Sequence, residues 1–511
     1  MMLLRHAPRP APPRAAAPPA PASTRLPDGF AVVLSATTAV GEDGASLLGT
    51  TTGRYLRLRP AARPLLVGRR VTVTDAASAA LARLLLDRDL ADPDPAGDAC
   101  DDASDHASDH ASDDAAVDDV TVVVPVRDRP EALARLLAAL PPRLPVVVVD
   151  DGSVDGRTGA VARAAGARVV RLDPGRGPAA ARNAGAAEAT TPYVALLDSD
   201  VVPDPGWLAR LRRHLDDPAV AVVAPRVLGL PDEGGRGGWL HRYEAVRSSL
   251  DLGARPAGVR PHGQVAYLPS AALLVRAAAW GDGFDERLQV GEDVDLVWRT
   301  WSAGWRLRFE PAAVVRHEHR TEVSGWLSRK AFYGTSADLL AARHGDAVAP
   351  MVLTPWTAVV AVALLAQRRW SLPVAAGAYV VATAGVRRRL PPGGRPWTAA
   401  ASMTAVGLVG AVWQTSAALT RHYWPLAALG CLVSRRARRA VALAAVADGL
   451  LDHRRTGADL DPVRYVVARR LDDLAYGAGV WAGAWRGRSV RALRPALRGF
   501  TRRRDADAKP S

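Results

Sequence analysis

The chain has 511 residues and a formal net charge of +14, from 66 Lys and Arg against 52 Asp and Glu, and its length predicts two to four domains. A composition of 49% hydrophobic and 23% charged residues excludes wholesale disorder, while two distant cysteines exclude a disulfide framework or Cys-rich metal site and fit a reducing compartment. The isoelectric point of about 10.6 indicates an anionic partner: nucleic acid, a phosphorylated ligand or a membrane surface.

The N-terminal part of the chain predicts an arm and a small module. Residues 1–25 are rich in Pro, Ala and Arg and contain no apolar run, which predicts a disordered arm rather than a signal peptide. Residues 26–92 predict a small α+β module with two short strands and one helix, at Phe30–Ser35, Tyr55–Leu58 and Ala76–Asp87. No catalytic motif occurs there, so binding or packing is expected.

Residues 93–119 form an acidic, low-complexity stretch in which Ala-Ser-Asp-His occurs twice in succession. Such a segment repels itself and cannot bury a core, so we interpret it as a solvated linker. Metal binding by its histidines is the alternative.

Residues 120–345 alternate between buried strands and helices. The strands are predicted at Val120–Val126, Val146–Val149, Arg168–Leu172 and Tyr193–Leu197, and the helices at Pro130–Leu140 and Pro178–Ala189. This alternation predicts an α/β fold with a parallel, doubly wound sheet. Ligands of such sheets bind outside the carboxyl ends of the strands.

Acidic residues follow these strands at the predicted ligand edge: Asp128, Asp150, Asp151, Asp198 and Asp200. Carboxylates that converge repel each other unless a cation joins them, and a divalent metal is the simplest cation. The two aspartates of Asp198-Ser199-Asp200 project the same way from an extended chain, which suits a hard cation and a phosphate-bearing ligand. The alternative is a pair of aspartates that accept backbone N–H groups.

A stretch of small residues, Gly175–Gly185, would let a nucleotide lie close to the backbone, with Arg182 near one of its charged or planar groups. The chain has neither a Walker lysine pattern nor a Gly-x-Gly-x-x-Gly after the first strand, which disfavours a P-loop ATPase or a dehydrogenase. Further along, Glu292 and Asp293 open a predicted helix, where acidic residues are also ordinary helix-dipole partners. His317 and His319 end a strand and are possible metal ligands.

Six motifs in this order resemble family-2 glycosyltransferases of the GT-A fold: Thr121–Val126, Val149–Ser153, Ala181–Gly185, Leu197–Asp200, Gly291–Asp293 and Arg316–His317. The resemblance implies a nucleotide-sugar donor site made of Pro125, Asp128, Asp151, Gly152, Ser153, Arg182, Asn183, Asp198 and Ser199. It implies Mn²⁺ or Mg²⁺ at Asp198, Asp200 and His317, with His319 as the reserve ligand. Asp293, beside Glu292, matches the family's general base in an inverting transfer.

Most of the chain, without the Pro-rich arm and the acidic linker, is similar to the mycofactocin biosynthesis glycosyltransferases, through Leu26–Phe30 at the start of the small module, the family-2 motifs, Phe332–Ser336 and the apolar Ala-rich tail. That resemblance implies transfer of glucose from UDP-glucose to a precursor derived from a ribosomal peptide. It also implies a short oligosaccharide product. The N-terminal module looks like the small peptide-recognition domains of such pathways, which suggests that it holds the precursor.

Residues 346–485 predict an apolar helical region and residues 486–511 a basic tail. The apolar segments are Val352–Ala366, Leu372–Val386 and Ala399–Leu419, and only the last approaches the roughly 20 residues needed to span a bilayer. Arginines beside these segments suit interfacial helices on anionic headgroups, at the cytoplasmic face of the cell membrane. Buried helices of a soluble domain are the alternative.

Three other functions compete with this reading. A membrane-associated family-2 transferase that uses a lipid or cell-wall glycan is the nearest. A catalytically dead scaffold is disfavoured by the full set Asp198, Asp200, Asp293 and His317. Nucleic-acid binding is disfavoured because aromatic residues make up only 5% of the chain and the arginines lie beside apolar segments.

Overall fold

The computed structural model describes residues 15–94, 117–231, 238–318, 322–390 and 396–498. Parts of four predictions therefore lie outside the described residues: the arm at residues 1–14, most of the acidic linker, His319, and the basic tail beyond residue 498.

The N-terminal module contains two small sheets and one helix. Strands β1 (Ala31–Leu34), β5 (Arg70–Thr72) and β6 (Ala91–Pro93) form an antiparallel sheet in the order β5-β1-β6. A second antiparallel sheet consists of β2 (Thr38–Val40), β3 (Ser46–Gly49) and β4 (Tyr55–Arg57). Helix α1 (Ala76–Asp87) begins with a capping box between Asp75 and Ser78, which pairs amide groups that its first turn would leave unsatisfied. Its leucines complete the core of the module.

Ion pairs join this module to the catalytic domain. Arg83 of α1 donates both of its terminal nitrogens to the Asp217 carboxylate, at 2.7 and 2.6 Å. Arg306 of the catalytic domain pairs with Asp87 at 2.7 Å. The module is therefore fixed on the sheet domain through its helix.

Arg83→Ala should lower the free energy of unfolding by about 3 kcal/mol, because it leaves the buried Asp217 carboxylate without its cation. The side chains of Arg83 and Asp217 are only 12% and 2% exposed. Chemical denaturation measures the change. Arg157→Ala is the matched control: its pair with Glu131 is 64% and 68% exposed, and the loss should stay within about 0.5 kcal/mol. Equal effects of the two substitutions would contradict the account.

The predicted disordered arm is wrong for residues 15–25. The indole N–H of Trp305 donates to the Pro19 carbonyl at 2.5 Å, and Arg299 donates to the Ala16 carbonyl at 2.9 Å. The amide of Ala16 in turn donates to Asp282 at 2.6 Å. Buried donors of the catalytic domain thus use the carbonyls of this segment, which composition alone does not reveal.

Within the described residues, nine strands form the central sheet: β7 (Val120–Val126), β8 (Val146–Asp150), β9 (Arg168–Arg171), β10 (Tyr193–Leu197), β11 (Val201–Pro203), β12 (Val220–Gly229), β13 (Ala257–Gly258), β14 (Ala272–Arg276) and β15 (Arg306–His317). Their order is β11-β15-β12-β14-β10-β7-β8-β9, with β13 beside β15. The predicted α/β fold is confirmed, and β9, β8, β7 and β10 are parallel. The other half is mixed, because β14 runs antiparallel to β10 and β12.

Helices cover both faces of this sheet: α2 (Pro130–Ala139), α3 (Arg157–Ala164), α4 (Pro178–Ala187), α5 (Trp207–His214), α6 (Trp239–Arg247), α7 (Glu292–Ser302) and α8 (Val323–His344). Side chains of α2, α3 and α5 belong to one core, and those of α4 and α7 belong to the other. Helix α4 lies unusually close to the sheet, since a Cβ on Gly185 would overlap Val123 and Val149. This approach brings the start of α4 to the strand ends.

The C-terminal region is helical, as predicted, and consists of α9 (Pro355–Ala366), α10 (Ser371–Arg387), α11 (Pro396–Ala417), α12 (Trp424–Val433), α13 (Arg435–Thr456) and α14 (Pro462–Arg486). None of the helices within the described residues is both long enough and apolar enough to cross a membrane. The start of the predicted basic tail is ordered: β17 (Ala496–Leu497) pairs with β16 (Val352–Leu353), and Leu493 is buried. Ala492 and Leu493 pack on the helices, whereas Val490 and Leu497 are exposed.

Candidate active site

The strand ends of the parallel half bring the predicted acidic residues to one edge. Asp150 ends β8, and Asp198 and Asp200 follow β10. The backbone of Asp198 donates to the Ala271 carbonyl at 2.9 Å, which ties the Asp198–Asp200 turn to the chain entering β14. This edge is where a doubly wound sheet binds ligands.

Asp151 holds the loop that leads into α4. Its two carboxylate oxygens accept the amides of Arg176 and Gly177 at 2.6 and 2.9 Å. Gly152 has a φ of +75°, and a Cβ there would lie 2.8 Å from the amide nitrogen of Gly175. The loops that contain Gly152 and Gly175 thus contact each other through their backbones beside Asp151. This contact lies at the edge where the sequence predicts a nucleotide pocket.

Asp128 and Ser153 connect the loops after β7 and β8. The Ser153 hydroxyl accepts the Asp128 amide at 2.9 Å, and an oxygen of Asp128 accepts the Val154 amide at 2.8 Å. Asp128 has a left-handed φ of +52°, and these two hydrogen bonds support it. Pro125 is buried within β7. The structure thus gives Asp128 and Ser153 contacts that shape the loops.

Asn183 contacts a loop from elsewhere in the chain. Its amide oxygen accepts the Phe284 amide at 2.9 Å, and its nitrogen donates to the Phe284 carbonyl and to Glu286, at 2.9 and 3.1 Å. Both ends of the side-chain amide are therefore used within the protein. Asn183 positions α4 against residues 284–286, and Phe284 in turn lies under the Arg182 guanidinium at 5.5 Å.

Arg182 connects the two acidic motifs of the site. It donates to Asp198 at 2.5 Å, and its other terminal nitrogen lies 3.6 Å from Glu292. The side chain is only 4% exposed. Burial lowers the pKa of Arg182, but the charges of Asp198 and Glu292 outweigh burial and leave that pKa raised. Its Nε and Nη1 atoms are buried without a hydrogen-bond partner among the described residues.

Asp200 and His317 lie together, as the metal prediction requires, with 3.4 Å between Asp200 Oδ1 and His317 Nε2. Arg129 donates to the other Asp200 oxygen at 2.5 Å. Asp198 faces Arg182 instead, so the described residues contain no closed group of three metal ligands. The three predicted ligands are two carboxylates and one imidazole, and Asp200 and His317 are in contact. Ligands of these types are suitable for Mn²⁺ or Mg²⁺. Ser199 is buried between the two aspartates.

Asp293 stands at the first turn of α7. Its oxygens accept the amides of Val294 and Ser270 at 2.8 and 3.3 Å. Burial raises the pKa of Asp293, against the lowering effect of these hydrogen bonds. Burial, reinforced by the charge of Asp293, also raises the pKa of Glu292 to about 7. A carboxylate with a raised pKa suits a general base near neutral pH.

Sequence reasoning missed Arg129, Ser270 and Phe284. Arg129 was predicted only as the start of α2, although its long side chain reaches Asp200. Its position directly after Asp128 was the one signal in the sequence. Ser270 contacts Asp293 through its backbone amide, which leaves no residue-type signal. Phe284 contacts Asn183 through its backbone and Arg182 through its ring, and both contacts join segments far apart in the chain.

Comparison with known proteins decides the family. A model of Glycosyl transferase family 2 matches residues 121–280. The chain is 46% identical over 496 residues to the pre-mycofactocin glycosyltransferase of Mycobacterium tuberculosis, which covers 93% of this chain and 99% of that protein. The chain belongs to the pre-mycofactocin glycosyltransferase family. The predicted resemblance and the prediction of a glycosyltransferase are therefore confirmed.

Other similar proteins cover a smaller share of this chain. Succinoglycan biosynthesis protein ExoU of Rhizobium meliloti is 30% identical over 246 residues, 44% of this chain and 70% of that protein. Among solved structures, the mannosyltransferase PcManGT from Pyrobaculum calidifontis, in complex with GDP-Man and Mn²⁺, is 21% identical. That match covers 59% of this chain and 88% of the other, with a TM-score of 0.35, which is too loose to bear on ligands. The match to the pre-mycofactocin glycosyltransferase, over 93% of this chain, extends well beyond residues 121–280.

Proposed function

We propose that this chain transfers glucose from UDP-glucose, with inversion, to the peptide-derived mycofactocin precursor and builds a short oligosaccharide on it. The observation that carries the proposal is the buried Arg182, which joins Asp198 of the Asp-x-Asp turn to Glu292 beside Asp293. This contact supports the proposal, because it joins the residues assigned to the donor to those assigned to the acceptor. Family membership names the acceptor class.

In the proposed mechanism, Asp293 takes the proton from the acceptor hydroxyl. The hydroxyl oxygen bonds to the anomeric carbon, and the bond from that carbon to the nucleoside diphosphate breaks, with inversion. Arg182, with two buried nitrogens free of hydrogen bonds among the described residues, would place positive charge beside Asp198. Asp198, Asp200 and His317 would hold Mn²⁺ or Mg²⁺, which supplies positive charge to a leaving diphosphate.

Purified chain incubated with one donor and one acceptor at a time tests the proposal. The donors are UDP-glucose and GDP-mannose, and the acceptors are the mycofactocin precursor and a polyprenyl phosphate. Mass spectrometry should show hexose addition from UDP-glucose to the precursor, and only with divalent metal. Transfer to polyprenyl phosphate alone would instead support the membrane-associated lipid or glycan transferase.

The acidic limb of the pH profile should lie above the ordinary range of a carboxylate, about pH 4. A base must be ionised and burial raises the pKa of Asp293, so kcat should begin to fall at a pH above that range as the pH drops. Glu292→Gln removes the neighbouring negative charge and should move this limb to lower pH. A wild-type limb near pH 4, the ordinary range of a carboxylate, would contradict the assignment.

We further propose that the C-terminal helices rest on an anionic membrane surface. Apolar side chains stand exposed on this region, among them Leu432 and Val433 at 78% and 87%. Arginines follow directly at the start of α13: Arg435, Arg436, Arg438 and Arg439. Exposed apolar residues beside arginines are the pattern of interfacial helices.

Vesicle flotation tests the membrane proposal. The chain should float with vesicles that contain phosphatidylglycerol and much less with pure phosphatidylcholine. Changing the four α13 arginines to Gln should weaken binding by up to about a thousandfold, at about 1 kcal/mol for each charge. Four Arg→Gln changes at exposed sites of the catalytic domain are the matched control and should leave flotation unchanged. Equal flotation of both variants would contradict the proposal.

A further inference from the structure

Residues 16–24, which we call the N-terminal strap, lie on the catalytic domain and connect it to the N-terminal module. At one end, the Ala16 amide donates to Asp282 at 2.6 Å, and the Ala16 carbonyl accepts the Arg299 side chain at 2.9 Å. At the other end, the Thr24 carbonyl accepts the side chain of Arg83, on helix α1 of the module, at 2.9 Å. The strap therefore joins the module to the loop that contains Asp282.

The middle of the strap is fitted to the surface of the catalytic domain. The Pro19 carbonyl accepts the indole N–H of Trp305 at 2.5 Å, and Trp305 is only 5% exposed. Pro18 is buried, and a Cβ on Gly281 would lie 3.1 Å from the Pro18 Cα. Without the strap, the buried indole N–H would lose this acceptor, which costs free energy. The strap is therefore part of the packed structure of the catalytic domain.

The loop that the strap contacts, residues 281–286, lies beside the start of α4. Arg299, which donates to the strap, also donates through its other terminal nitrogen to the Gly283 carbonyl at 2.6 Å. A Cβ on Gly283 would overlap the side-chain oxygen of Asn183. The next residue, Phe284, exchanges hydrogen bonds with Asn183 and lies under the Arg182 guanidinium at 5.5 Å. One arginine thus holds both the strap and the loop that supports Arg182.

Loss of the strap would change the loop at residues 281–286 more than the helix that carries the base. Asp282 would lose the amide that it accepts, and one terminal nitrogen of Arg299 would lose its acceptor. The Nε of Arg299 would keep its separate hydrogen bond to Asp295 on α7, at 2.8 Å. A buried donor without an acceptor favours movement of the groups around it. The expected consequence is a displaced loop and a less fixed Arg182.

We infer that the N-terminal strap is a positioning element of the donor site: it holds residues 281–286 where Phe284 and Asn183 fix the start of α4 and, with it, Arg182. The inference rests on the proposed function, since it concerns the donor side of the same reaction. It makes the affinity for a nucleoside diphosphate depend on a segment far from α4 in the chain. Acceptor binding and the proton transfer to Asp293 do not depend on the strap.

Deletion of residues 1–22 should weaken the binding of UDP with Mn²⁺ by at least about tenfold, because it removes several hydrogen bonds that each contribute to the position of the loop. Calorimetric titration measures this affinity. The donor KM should rise by the same factor, while kcat at saturating donor and the acceptor KM should stay within about twofold of the wild type. Deletion of residues 1–14 is the matched control, since it leaves the strap in place, and should not change UDP binding.

Ala16→Pro tests the strap in the full-length chain. It removes the amide that donates to Asp282, at an exposed residue, and should weaken UDP binding by about fivefold, a typical value for one hydrogen bond. Ala20→Pro is its matched control, because Ala20 is also an exposed residue of the strap and its amide donates to no backbone or side-chain acceptor among the described residues. This second variant should bind UDP as the wild type does.

Unchanged UDP affinity in a folded chain that lacks residues 1–22 would overturn the inference. So would equal effects of Ala16→Pro and Ala20→Pro, or an acceptor KM that rises as much as the donor KM, since either result would indicate a general loss of structure. If the deleted chain does not fold, the two proline variants decide. Failure of the proposed function is a separate result, because the wild-type chain would then add no hexose to the precursor, whereas the strap is tested by UDP binding alone.

Discussion

Asp293→Asn should lower kcat for transfer by about 10³-fold, within the range that general-base catalysis contributes. The substitution preserves the shape of the side chain and the oxygen that accepts the Val294 amide at 2.8 Å. It removes the group that takes the acceptor proton. A rate measurement with saturating donor and acceptor gives the loss, and a titration with UDP should show unchanged donor binding.

Asp295→Asn is the control substitution, because Asp295 lies on the same helix but stabilises the folded structure. Its carboxylate accepts from Arg299 and His344, both at 2.8 Å. These hydrogen bonds, with the charges of Arg299 and Arg343, outweigh burial and lower the pKa of Asp295 to about 2. This variant should unfold at a lower temperature, and its remaining folded fraction should transfer normally. Full transfer by Asp293→Asn would refute the assignment of the base.

Asp200→Ala should weaken Mn²⁺-dependent binding of UDP by about 100-fold, because it removes the carboxylate that lies 3.4 Å from His317. Calorimetric titration of UDP with and without Mn²⁺ measures the metal-dependent part of the affinity. Without metal, the variant and the wild type should bind UDP almost equally.

Arg129→Ala tests whether the effect of Asp200→Ala comes from a lost metal ligand or from the lost ion pair between Asp200 and Arg129. This change removes the guanidinium that lies 2.5 Å from Asp200 and leaves the carboxylate in place. Metal-dependent binding should then be retained. If Asp200→Ala still shows the wild-type response to Mn²⁺, the proposed metal site is wrong.

Half of the sheet was predictable and half was not, for a physical reason. Runs such as Val120–Val126 are buried on both faces and therefore carry a continuous apolar signal. The position of β14 between β10 and β12 depends on pairing between segments far apart in the chain. No local sequence pattern predicts such pairing, so the mixed half of the sheet could not be predicted.

The candidate site shows the same division. Parallel strands end at one edge, so the approach of Asp198 and Asp200 to the nucleotide-binding loops followed from strand order. The sequence did not predict which polar side chains already form hydrogen bonds within the protein. Asp151 accepts two loop amides, and Asn183 uses both ends of its amide on residues 284–286. Those contacts depend on loop conformations that residue types alone do not determine.

The C-terminal helices illustrate a third limit. Their apolar composition predicted helices, and Gly477 and Gly479 read as ordinary small residues within one of them. In the structure, the absence of their side chains lets α14 contact α8 and residue 421 at backbone distance. The packing of α14 on α8 is therefore visible only in three dimensions.

Mass spectrometry of the mycofactocin pool, from cells that contain this chain and from cells that lack it, tests the central claim most directly. The account predicts a ladder of hexose additions that disappears without the chain and returns with the wild type. The ladder should not return with Asp293→Asn. A glycan ladder that persists in the absence of the chain would contradict the account.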